Sequence, residues 1–140
     1  MTRFYRFFIT LSIPTILLAF ALLLLFEPSQ AKPTKSDKIG FIHNVYFWVN
    51  EGTPPSAIDQ LIGDCKTYLG SVKTVEKIQV GIPAGTPREV VDNSFAVNLI
   101  VYFKDKAAHD YYQKAKKHKD FIARNQDHWK KVQVYDMLPK

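Results

Sequence analysis

The stretch GFIHNVYFWVN, residues 40–50, places Phe41, His43, Val45, Phe47 and Val49 on one side of an extended chain. Ile42, Asn44, Tyr46 and Trp48 fall on the other side. Residues 94–103, SFAVNLIVYF, repeat the pattern: Phe95, Val97, Leu99, Val101 and Phe103 share one face, and Ala96, Asn98, Ile100 and Tyr102 the other. Period-two alternation of β-branched and aromatic residues marks a strand. Both faces of both strands are largely apolar. A chain built on them has to cover two sides of a sheet.

The remaining elements follow from spacing and punctuation. In residues 53–70, Ile58, Leu61, Ile62, Cys65, Tyr68 and Leu69 recur at three and four, the stripe of an amphipathic helix. Pro54 and Pro55 suit its entry, Ser56 is a candidate cap, and Gly70 closes it. Val75, Ile78 and Val80 outline a second strand. Residues 82–93 carry two prolines and a glycine and read as a loop long enough to serve as a lid. Asp105 is placed to cap a second helix through about Arg124, with the stripe Ala108, Tyr111, Tyr112, Ala115, His118, Ile122. KKVQVYDM is the last strand, with Val132 and Val134 on one face and Gln133 and Tyr135 on the other. The order β-α-β-β-α-β is the ferredoxin-like α+β arrangement, a four-stranded antiparallel sheet with both helices on one face. Tyr46, Trp48, Ile100, Tyr102 and Tyr135 then lie on the bare face. An apolar patch of that kind marks an association site, and a twofold homodimer is the commonest way to bury it.

The first 31 residues differ from the rest. Arg3 and Arg6 precede the uncharged run Phe7–Phe26, and Ser29 and Ala31 have the small-x-small spacing of a cleavage site. The pattern fits an export signal, and the run is also long enough to remain as a membrane anchor. The expected organisation is a signal or anchor at 1–31, a polar linker at 32–39, and one domain at 40–140. The protein is expected to be exported, periplasmic or extracellular, or held in the membrane through residues 1–31 alone. Cys65 is the only cysteine, so the core has no internal disulfide, and its place on a helix stripe suits a small buried group.

YYQKAKKH, residues 111–118, is the segment with chemistry in it. A tyrosine and a histidine can divide acid and base duties on a carbonyl compound. They can equally be the polar tips of a buried helix face. No metal or other cofactor is expected. The four histidines form neither HxxxH nor HExxH, and no carboxylate stands at ligand spacing beside His43. The net charge of +6 is spread along the helices. An RNA-recognition module shares the element order, but the third strand lacks its basic-glycine-aromatic signature, so no nucleic acid partner is expected.

HNVYFWV, VGIP, VYFKDKAAHDYYQKAKKHKDF and HWKKVQVYDM, in that order and spacing, resemble the stress-responsive dimeric A/B barrel family over about Phe41 to Met137. The resemblance implies a homodimeric barrel with a cavity between each sheet and its helices. By similarity to a polyketide cyclase of that family, Tyr112 and His118 fall on its acid–base pair and His43 on its first-strand histidine. Val97 stands where the cyclase has another histidine. A pocket of this kind would be walled by Val45, Phe47, Val97 and Tyr111. The family often has His-Pro ahead of the second histidine, where this chain has Ala115 and Lys116. In an unbroken helix Tyr112 and His118 are about 120° apart, so they converge only if the helix breaks. Three functions stay open: a binder of a small, mostly apolar molecule, with or without cyclase- or lyase-like activity; a structural or stress-protective dimer without catalysis; and a cofactor-free monooxygenase of the related ferredoxin-like type.

Overall fold

Strand β1 (Phe41–Val49) sits inside a four-stranded antiparallel sheet of order β2-β3-β1-β4, with β2 at Val75–Gly81, β3 at Val97–Phe103 and β4 at Trp129–Met137. The computed structural model describes residues 39–140; the expected signal or anchor, and nearly all of the linker, lie outside the described residues. Among the described residues no helix is long and apolar enough to cross a membrane.

The pleat of β1 follows the sequence pattern: Phe41, His43, Val45 and Phe47 are buried, and the alternate residues are partly exposed. Val97, Leu99, Val101 and Phe103 of β3 join them in the core beneath the helices. Each such side chain contributes about 1.5–3 kcal/mol by leaving water. Phe95 does not share this face. The chain bends at Ala96 and the pleat begins only at Val97, so the ring of Phe95 lies 5.0 Å from that of Tyr46 on the opposite side. Strand β4 begins at Trp129, one residue earlier than the sequence suggests, and its ring packs on Phe47 and Phe121.

Helix α1 (Pro55–Asp64) starts behind Pro54, and Ser56 lies inside it without a capping bond. A π-helical turn, Cys65–Leu69, extends it. Gly70 follows at φ −63, so it does not end the helix through a left-handed residue. A Cβ there would meet the Lys66 carbonyl oxygen at 2.7 Å. Burial pushes the Cys65 thiol up to about 12, which suits a packing residue and not a nucleophile.

The second helix is not continuous. Helix α2 (Lys106–Lys114) is capped by Asp105, whose carboxylate accepts from the Ala108 amide at 2.8 Å. It stops at Ala115, which is extended at ψ 140, and α3 (Lys116–Asn125) begins afresh. No proline is involved. A continuous helix with Tyr112 at the core would carry Lys116 and Lys119, four and seven residues on, to the same buried line. Burying those ammonium groups costs more than one interrupted turn. Restarting at Lys116 turns Phe121 and Asn125 inward instead. Asp64 then ties α1 to α3, accepting from Asn125 Nδ2 and Arg124 Nε at 3.0 Å each.

The other sheet face keeps its aromatic residues. Trp48 Nε1 donates to Ser94 Oγ at 2.9 Å, Tyr102 donates to Gln79 Oε1 at 2.6 Å, and Asn98 donates to Asn44 Oδ1 at 2.6 Å. An open concavity of about 510 Å³ lies there, lined by Asn44, Tyr46, Trp48, Phe95, Asn98, Tyr135 and Asp92. Asp92, near the end of the 82–93 loop, is thus at this outer face.

Candidate functional site

His43 projects from the first half of β1 toward the helices because it shares the pleat with Phe41 and Val45. Its ring centroid is 6.0 Å from that of Tyr112, the last inward residue of α2 before the break. Tyr112 in turn is 4.7 Å from His118 of α3. These two rings would point about 120° apart on a straight helix. The extended Ala115 between them is what brings them together.

Two residues not anticipated from the sequence complete the group. His109, three positions before Tyr112 on α2, stacks on Phe41 at 4.4 Å and lies 5.0 Å from the His43 ring. Asp136 faces His43 across the β1–β4 ladder, and its Oδ1 is 2.7 Å from His43 Nδ1. No carboxylate stands at ligand spacing beside His43 in the sequence, yet the fold supplies one from 93 positions away. The neighbour comes from cross-strand register, which local spacing does not reveal. The helical spacing of His109 and Tyr112 was visible in the sequence and would have placed both on one face.

The other candidates are spread out. Val45, Phe47 and Val97 are buried, but Phe47 and Val97 pair at the far end of the ladder, where Phe47 packs on Phe121. Four residues along a strand put Phe47 roughly 13 Å from His43. Tyr111 is 46% exposed; Lys73 Nζ sits 4.6 Å over its ring. It lines a second concavity of about 340 Å³ beside the helix break, with Val72, Ala115 and Lys117. Neither this concavity nor the one on the outer face is lined by His43, Tyr112 or His118.

The group is electrically quiet. Burial, and then the imidazoles of His43 and His109, lower His118 to about 4, so at neutral pH it is an uncharged acceptor. Its Nδ1 is buried and has no hydrogen-bond partner. Burial also holds His43 below the usual imidazole value, against the opposing pull of Asp136. Burial raises the Tyr112 phenol, keeping it a neutral donor. A phenol donor beside two neutral imidazoles suits a ligand that carries an oxygen or an enol, and disfavours a charged one.

Residues 41–139 match the family model of the stress responsive A/B barrel domain. No curated protein matches the chain. Among solved structures, the chain is similar to a dimeric ferredoxin-like protein of unknown function from Thermobifida fusca, with 13% identity and a TM-score of 0.63 over 73% of this chain and 92% of that one. It is similar to a family member from Mesorhizobium loti with a ferredoxin-like fold, at 21% identity and a TM-score of 0.59, over 72% of this chain and 98% of that one. It is also similar to a hydroxynitrile lyase from Passiflora edulis, at 16% identity and a TM-score of 0.65, over 74% and 95% of the two chains.

Proposed function

Because the chain belongs to the stress-responsive A/B barrel family, we propose that it binds a small, mostly apolar carbonyl or enol compound at the break between α2 and α3. Tyr112 and His118 are its hydrogen-bonding and proton-exchanging pair, and His43 is a third contact. The observation that carries this reading is the 4.7 Å approach of the Tyr112 and His118 rings across an interrupted helix. In a cyclase- or lyase-like step the phenol donates to a carbonyl oxygen while the neutral imidazole accepts a proton from carbon or hydroxyl. One fold neighbour bears the name hydroxynitrile lyase, so the fold is compatible with an enzyme. Native mass spectrometry of the purified protein is expected to find a retained small molecule that is lost in Tyr112→Phe and His118→Ala. A protein that carries no such mass, or keeps it in both variants, refutes this reading.

A structural or stress-protective dimer without a ligand is the second reading. It is favoured by the burial of Tyr112, only 1% exposed and packed 5.1 Å from Phe103. Under this reading both substitutions lower stability by a kcal/mol or more, the usual range for core changes, and nothing is retained to lose. In either case the outer aromatic face supports a homodimer, the state also named for the Thermobifida fusca neighbour. The basic, apolar and small-residue pattern of residues 1–31 supports export or an outward-facing anchor. Fractionation with N-terminal sequencing tests this, and soluble cytoplasmic protein retaining Met1 would overturn it.

A further inference from the structure

We propose that His43, His109 and Asp136 form a binding site for a divalent transition-metal ion, with the two imidazoles and the carboxylate as its protein ligands. One donor atom from each of the three lies within 4.8 Å of the others. Two imidazoles and a carboxylate make a ligand set that first-row divalent ions accept, and three protein ligands leave at least one position for water or a further ligand. The site is dry on one side and open on the other. His43 and His109 are 6% and 8% exposed, whereas the Asp136 side chain is 43% exposed. An ion entering from the β4 edge meets the carboxylate first.

His109 supplies an independent observation. Its Nδ1 is buried with no hydrogen-bond partner; the nearest carboxylate oxygen, Asp110 Oδ1, is 3.5 Å away and already held by Lys106. Its other nitrogen is 2.9 Å from the Gln113 amide nitrogen; metal ligation through Nδ1 puts the ring proton on Nε2, and the amide, turned over, accepts it through its oxygen. A metal-bound imidazole commonly has its second nitrogen fixed by such a side chain. A cation would take the place of the proton now shared between His43 Nδ1 and Asp136 Oδ1; the neutral ring keeps its single proton by carrying it on Nε2 instead, and Nδ1 is left as the metal-binding lone pair. With ligand bonds of about 2.0–2.2 Å, that pair opens from its present 2.7 Å to roughly 3.3 Å in a tetrahedral site. A side-chain rotation of the exposed carboxylate is enough to allow this.

His43 belongs to both readings, but Tyr112 and His118 are not metal ligands and the metal is tested at His109 and Asp136, so the metal site and the small-molecule reading fail separately. The test uses the full chain, stripped with chelator and titrated with zinc chloride by calorimetry at neutral pH. Cobalt(II) absorption is read in parallel. One zinc ion per chain is expected, with visible cobalt bands. Asp136→Asn, a same-shape change at a part-exposed position, and His109→Ala are each expected to weaken zinc at least tenfold and to abolish the cobalt bands. Tyr112→Phe is expected to bind zinc as the wild type does. Circular dichroism establishes that each variant is folded. A wild-type chain that binds no stoichiometric zinc overturns the proposal, as does unchanged binding in Asp136→Asn or in folded His109→Ala.

Discussion

Replacing His118 with Gln should change how stability responds to acid more than it changes stability at neutral pH. The ordinary imidazole value is 6.5, and in the folded chain His118 is lowered to about 4, by burial first and by His43 and His109 next. The unfolded chain takes up a proton here as pH falls through 6.5; the folded chain resists until about 4. The unfolded state therefore binds more protons across this interval, and stability falls as pH falls. This group's contribution is whole above 6.5 and is lost by the folded value. At about 1.36 kcal/mol per pH unit, the interval is worth about 3 kcal/mol. His118 is only partly buried, and screening by water leaves roughly 1–2 kcal/mol. Urea denaturation of wild type and His118→Gln at one protein concentration, between about pH 7.5 and pH 5, reads this difference directly. That range covers only part of the interval, so the wild type should lose roughly 0.5–1.5 kcal/mol more than the variant over it. His43, also lowered by burial, leaves a residual slope in both. An NMR titration of the His118 ring gives the second readout. Parallel slopes, or an imidazole titrating near its ordinary value, would show that the α2–α3 break leaves His118 open to water, and the argument for a dry site would fail.

Trp48→Glu or Ile100→Glu places an unpaired charge in the outer face and should cost several kcal/mol of dimer stability. Light scattering of protein lacking residues 1–31 is expected to give a dimer for the wild type and a monomer or aggregate for the variants. A wild-type monomer at micromolar concentration contradicts the assignment of that face. Asp64→Ala leaves Asn125 Nδ2 without its cross-helix acceptor and Arg124 without its partner. Chemical denaturation should register a loss of about 1–3 kcal/mol, and a change below about 0.5 kcal/mol would mean that water replaces the carboxylate.

The strands and their faces were legible from residues 40–50 and 97–103 alone, because a period of two is a local property and burial follows it directly. The Asp105 cap was legible for the same reason: the oxygen and the amide it accepts from are three residues apart. The bare aromatic face followed from counting helices against sheet faces. The tertiary structure decided what depends on partners distant in sequence. The stripe Ala108 to Ile122 permits one straight helix, and only the demand that Tyr112 and Phe121 be buried while Lys116 and Lys119 stay in water breaks it at Ala115. Phe95 changed sides because the pleat starts at Val97, a boundary fixed by pairing with Phe47. Asp136 reached His43 across 93 positions of sequence, through the β1–β4 register. A local reading assigns each residue to a face of its own element; which groups share a site is decided when those faces are packed together, since long-range register and the cost of burying charge act only in the assembled sheet and helices.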